Sequence, residues 1–180
     1  MKKVIVVILL ALMLFGGVLN AQVSNTAGTM KPGRWSIGID PIIYTAPDFG
    51  LFLGAGYGIA RGWDLEAKLG LGNGTYFGAN IEKTLVSGKP TLSLSAGAHI
   101  QNDVGLDGTL NVSFPLRAVN LYTGLDADIN FGQNDTTFPL WWFFGAEIGM
   151  RKNFSLLFEI DAGINNPAPS MLVIGLNFYI

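Results

Sequence analysis

The chain has 180 residues, of which 49% are apolar and only 13% charged, with 24 glycines, no cysteine and a formal net charge of −2. Without cysteine it forms neither a disulfide framework nor a thiolate metal site, and its mild acidity leaves no electrostatic footprint for nucleic acid. A water-facing domain carries about 25% charged residues, so a surface built from this composition meets something other than water.

Residues 1–21 read as a secretory signal peptide. Lys2 and Lys3 precede an apolar run from Val4 to Leu19, broken only by Gly16 and Gly17, and Ala21 offers a cleavage point before Gln22. The run is shorter than the ~20 residues of a spanning helix. Without Lys2 and Lys3, nine basic side chains face 13 acidic ones, a net charge of −4. Residues 22–33 are polar and glycine-containing, and read as a short leader.

Ten segments of period two follow, at 34–44, 50–60, 62–72, 74–85, 90–101, 103–114, 119–131, 138–150, 153–164 and 170–180. Their length suits the ~9–11 residues with which a tilted strand crosses a bilayer. In the third segment Trp63, Leu65, Ala67, Leu69 and Leu71 alternate with Asp64, Glu66, Lys68 and Gly70. The fifth sets Leu92, Leu94, Ala96, Ala98 and Ile100 against Ser93, Ser95, Gly97 and His99. The seventh sets Val119, Leu121, Leu125, Ala127 and Ile129 against Asn120, Tyr122, Asp126 and Asp128. One face of each is apolar, the other polar. A lipid-exposed backbone must bond itself completely, which leaves a closed barrel. The expected fold is therefore all-β, an up-and-down antiparallel transmembrane barrel of ten strands over residues 34–180. Eight is the alternative if 50–60 or the first segment is no strand.

The connections fall into two sets. Arg61-Gly62, Val86 to Pro90, Pro115 to Ala118 and Arg151-Lys152 are short and basic. Thr45 to Gly50, Asn73-Gly74, Asn102-Asp103, Gly132 to Thr137 and Asn165 to Ser170 are acidic or neutral. Short inner turns and longer outer loops put the basic set on the periplasmic side. Aromatic residues near the segment ends (Trp35, Tyr44, Phe49, Trp63, Tyr76, Phe131, Trp141, Trp142, Phe154, Phe178, Tyr179) match interfacial belts.

The last hairpin has the sharpest pattern. Leu172, Ile174, Leu176, Phe178 and Ile180 form one unbroken apolar face. With this terminal strand, and with the strand–turn–strand unit Tyr57-Gly58-Ile59-Ala60-Arg61-Gly62-Trp63-Asp64-Leu65, the stretch Arg34 to Ile180 resembles the small bacterial outer-membrane β-barrel proteins, OmpA/OmpX-like and porin-like. Members usually end on phenylalanine, and Ile180 departs from that. The resemblance implies residence in the outer membrane of a diderm bacterium, with lipid around the barrel. It also implies recognition of the terminal strand by the barrel-insertion machinery. It implies no single activity, since members are pores, structural anchors, adhesins and a few enzymes.

Period two turns Asp40, Asp64, Glu66, Glu82, Asp107, Asp126, Asp128, Glu147, Glu159 and Asp161 inward, against Lys68 and His99. Such a lumen is either a narrow pore preferring small cations or solutes, or a plug whose carboxylates bond Tyr, Asn, Ser and Lys68. Ten strands enclose little more than side chains, which favours the plug. Inward Gly54, Gly56, Gly58, Gly97 and Gly124 then make room for larger groups opposite. His99 with Asp107, or the pair Asp126 and Asp128, which superficially resembles the paired aspartates of a ten-stranded protease barrel, are the candidates for a hydrolase. The loops are too short to build a substrate cleft, so no enzyme and no catalytic residue is expected. Asp126, Asp128 and Asp135 lack the ordered spacing of a calcium loop, and no phosphate-binding loop is present, so neither metal nor cofactor is expected. A soluble, secreted ligand-binding barrel is the alternative. Its polar face would carry Lys, Glu and Thr, whereas here it carries Gly, Ser and Asn.

Overall fold

The computed structural model describes residues 26–45, 49–72, 74–151 and 153–180. The signal-peptide segment, residues 22–25 of the leader, part of the 45–50 loop, Asn73 and Lys152 lie outside them.

Alternation produces eleven strands: β1 (Trp35–Tyr44), β2 (Phe49–Ala60), β3 (Trp63–Gly72), β4 (Gly74–Val86), β5 (Thr91–Ile100), β6 (Val104–Pro115), β7 (Val119–Phe131), β8 (Thr136–Thr137), β9 (Leu140–Arg151), β10 (Phe154–Gly163) and β11 (Met171–Tyr179). Ten of them run in the order β6-β5-β4-β3-β2-β1-β11-β10-β9-β7, and β6 pairs with β7 to close the ring. Every pairing is antiparallel, and β1 meets β11 through Ile37↔Phe178 and Ile39↔Leu176. The barrel thus has ten strands; 34–44 and 50–60 both contribute one, so eight is excluded. The two-residue β8 sits inside the longest loop and extends the end of β7 at Asn130 and Phe131.

The side chains sort as period two requires. In β5, Leu94 is 49% exposed while the adjacent Ser95 is 3% exposed. Between the rims, the outward positions of the ten strands carry no Asp, Glu or Arg among the described residues. Lys83, near one rim, lays its ammonium over the Trp63 ring, 4.4 Å from the centroid, where a cation–π contact holds it. The barrel edge is abolished by closure, so no backbone ladder is left open along the wall.

We call the end holding Trp35, Tyr179 and the turns after β2, β4, β6 and β9 the near rim, and the opposite end the far rim. The interior is not uniformly polar. In its far half Ile42, Tyr44, Phe52, Tyr76, Trp141, Phe143, Met171 and Val173 join Tyr122, Leu157 and Ala168 in one buried cluster. The inward face expected to be mainly polar thus carries a continuous apolar layer as well. Four of the expected belt residues are also corrected: Tyr44, Tyr76, Trp141 and Tyr179 point inward. Trp141 is fully buried and donates its indole N–H to the Pro169 carbonyl at 2.9 Å, which satisfies the one polar atom that would oppose its burial. Loop residues Ala168 and Pro139 are buried against this layer, so two far-rim loops fold over the barrel end.

Candidate functional site

The candidate site is the set of ionisable side chains inside the ring, which runs from the near rim into the far half beside the apolar cluster. Asp40, Asp64, Asp126, Asp128, Glu159 and Asp161 are buried there, while Glu66, Glu82, Asp107 and Glu147 are partly buried. Each occupies an inward register position fixed by its strand. Lys68 is the inward-facing ammonium among the described residues, and His99 the one imidazole. Acidic side chains thus outnumber basic ones inside the ring.

Several of the carboxylates are tied into three groups. At the near rim Glu147 Oε1 accepts the Tyr179 hydroxyl at 2.5 Å and the Ser155 hydroxyl at 2.6 Å. This one oxygen therefore links β9, β10 and β11. Toward the far rim His99 Nδ1 lies 3.3 Å from Asp107 Oδ2 and Nε2 lies 2.8 Å from Asn130 Oδ1. The Tyr76 ring stacks against the imidazole with centroids 5.3 Å apart. Asp107 stands directly across from Asp128, and Asp126 accepts the hydroxyl of Thr109 in the next inward row. In the middle, Lys68 Nζ lies 3.4 Å from Glu66 Oε2. A surface pair of this kind contributes little, but in a confined interior the screening by water and salt is weaker.

His99, Asp107, Asp126 and Asp128 are brought together, as the register suggests. Both imidazole nitrogens are engaged, by Asp107 and Asn130, so neither is presented to a nucleophile or to a bound water. The arrangement reads as a strut linking β5, β6 and β7. Among the described residues no three acidic or histidine side chains converge as direct ligands of a metal ion.

The feature that sequence reasoning missed is a strap. The described part of the leader does not hang outside the barrel; it enters the near rim. Gly33 N–H donates to the Gly58 carbonyl at 2.8 Å, and Gly58 N–H to the Arg34 carbonyl at 2.9 Å, fastening the strap to the end of β2. Met30 N–H then donates to Asp64 Oδ2 on β3 at 3.0 Å, and the Thr29 and Thr84 hydroxyls lie 2.9 Å apart. Ala27, fully buried, donates its N–H to Ser113 Oγ on β6 at 2.8 Å. Beneath the strap lies a chamber of about 80 Å³, walled by Asp64, Glu66, Asn80, Glu82 and Ser95 among others. The one local sign in the sequence is the inward pair Gly56 and Gly58 on β2. A Cβ at Gly58 would collide with the Lys31 carbonyl.

No family model matches the chain, and no curated protein matches its sequence. Solved structures do show similarity. The KdgM porin is 11% identical with a TM-score of 0.49, and the match covers 79% of this chain and 98% of that one. A designed transmembrane β-barrel is 15% identical with a TM-score of 0.46, over 85% of this chain and 100% of the other. OprG of Pseudomonas aeruginosa, an outer-membrane protein, is 17% identical with a TM-score of 0.40, over 87% and 99%.

Proposed function

We propose that this chain is a small integral protein of the outer membrane of a diderm bacterium, structural rather than enzymatic, whose interior is a packed plug. The observation that carries the reading is the two-sided sorting of the closed ring. Its outer wall is apolar from Trp35 through Phe178, while the carboxylates of its strands lie inside. A charge on a lipid-facing wall costs about 2–4 kcal/mol at mid-depth, so a membrane demands this distribution and water does not. Residues 1–21 act as the signal peptide in this reading, and β11 is the strand offered to the barrel-insertion machinery. The near rim faces the periplasm. Lys31, Arg34, Arg61, Lys83, Lys89, Arg117 and Arg151 all lie at that end, where short periplasmic turns are expected.

Two barriers in series support a plug over a porin-like channel: the Trp141–Phe143–Phe52–Tyr76 layer at the far half and the strap at the near rim. Refolded protein in a planar bilayer tests this. We expect no unitary conductance from the intact chain. Steady cation-selective steps, reduced by Asp126→Asn with Asp128→Asn, would instead establish the porin-like reading. Extraction is the parallel test of location: the protein needs detergent and migrates differently on gels before and after boiling.

A further inference from the structure

Beneath the strap, the wall of the small chamber carries three carboxylates, Asp64, Glu66 and Glu82, from the adjacent strands β3 and β4. Thr26, Gly28 and Met30 of the strap form its roof. Asp64 uses one oxygen to accept the Met30 N–H, and Glu66 faces Lys68. Directly across the ladder from Glu82 stands Ser95. Ser95 is 3% exposed, it lines this chamber, and its hydroxyl has no hydrogen-bond partner. A buried hydroxyl without a partner costs about 1–3 kcal/mol, so an oxygen atom or an ion that engages it is favoured there.

We propose that this chamber is a binding site for a hydrated divalent cation of the magnesium type. The sign follows from the walls, since a confined field of one charge selects its counter-ion. The hydration follows from the geometry. No three acidic side chains converge as direct ligands among the described residues, so the ion meets most of them through water. Magnesium surrenders its waters reluctantly and is held through one or two carboxylates. The chamber's ≈80 Å³ accommodates an ion with part of its shell, given that a water occupies about 30 Å³. Ser95 and the neutral Asn80 line the chamber and supply groups that accept or donate to those waters. The ion would engage Asp64 and Glu82 under the strap, tying the strap to β3, β4 and β5 at once. The site does not depend on whether the barrel conducts.

The test uses the full chain, refolded in detergent micelles and stripped of divalent ions, with manganese as a paramagnetic probe. Loss of the free aqua-ion signal on titration reports binding, and competition by magnesium identifies the site class. We expect one manganese per chain, displaced by magnesium, with affinity lowered about tenfold or more in Glu82→Gln and less in Ser95→Ala, as outer-shell partners usually show. Asp126→Asn with Asp128→Asn should bind as the parent does. Heat-modifiable gel mobility confirms that each variant is folded, and Ser95→Ala carries the test if Glu82→Gln does not fold. Absence of stoichiometric manganese in the parent overturns the proposal. So does unchanged affinity in the folded variants, or loss of binding in the Asp126/Asp128 variant, which would put the ion in the deeper acidic row.

Discussion

The Ala27 N–H donates to Ser113 Oγ at 2.8 Å, which places the start of the strap against the wall opposite the strand it leads into. Ala27 belongs to the strap that leads into β1, while Ser113 lies on β6, five strands away in a ring of ten. A single strap thus spans the full width of the near rim. Each of its hydrogen bonds contributes about 0.5–1.5 kcal/mol, so the strap is held but not locked, and it can be released without unfolding the barrel.

Release should follow from one substitution. A Cβ on Gly58 collides with the Lys31 carbonyl, which is backbone and cannot swing aside. Gly58→Ala should therefore lift the strap while leaving the ten-strand ladder intact. The chain has no cysteine, so Ala27→Cys gives a single reporter. We expect it to resist a water-soluble maleimide in the parent and to react at least about tenfold faster with Gly58→Ala, as a buried site that opens locally does. Equal rates in the two backgrounds would mean that Ala27 is not held at Ser113.

The wall of this barrel is legible from the sequence because every second residue of its strands obeys one strict rule, apolar outward. Leu94, Ala96 and Ala98 alternate with Ser93, Ser95 and Gly97 without exception, and ten such runs give the strand count. The interior obeys no such rule, since an inward position accepts carboxylate, glycine or ring alike, provided the volumes fit. β9 advertises its apolar interior most clearly, through Leu140-Trp141-Trp142-Phe143-Phe144, a run apolar on both faces as doubly buried strands are. Ile42, Phe52 and Met171 sit in shorter apolar runs that give a weaker signal. The strap is a different case: residues 26–33 have no period, and what fixes them is a set of partners on β2, β3, β4 and β6 that no local pattern encodes.

Interior packing makes a second prediction. A Cβ at Gly124 on β7 would meet the Phe143 ring and the Leu110 carbonyl together. The ring is fully buried and has no free space to retreat into. Gly124→Ala should destabilise the folded barrel by about 1–3 kcal/mol, read as a lower urea midpoint for unfolding from lipid vesicles. Gly28, whose added Cβ would meet nothing within 4 Å, is the matched control, and Gly28→Ala should leave the midpoint unchanged.

The near-rim knot gives a third. Tyr179 and Ser155 both donate to Glu147 Oε1, so the three side chains act as one unit. Tyr179→Phe removes one donor from a charged acceptor and should cost about 1.5–3 kcal/mol. Glu147→Ala strands two hydroxyls and should cost more. Because the partners are shared, Tyr179→Phe combined with Glu147→Ala should cost clearly less than the two single changes together. Strict additivity in the double-mutant cycle would show that the knot does not couple β9 to β11.

Membrane residence itself is open to a single-residue test. Leu125 lies at the middle of β7 and is 45% exposed on the outer wall. Val119 faces the same way at the near-rim end of the same strand. On a water-exposed barrel, Leu125→Arg exchanges one surface side chain for another and changes stability by no more than about 0.5 kcal/mol. On a lipid-facing wall the guanidinium enters hydrocarbon at Leu125 and costs about 2–4 kcal/mol, while at Val119 it reaches the interface and costs about 0–1 kcal/mol. Folding free energies of Leu125→Arg and Val119→Arg, measured by urea titration in vesicles, should therefore differ by about 2 kcal/mol or more. Strand, face and introduced arginine are shared, and the replaced side chains differ by one methylene, so depth is the main variable separating the two sites. Equal costs at both positions would remove lipid from the outer wall and leave a soluble barrel in its place.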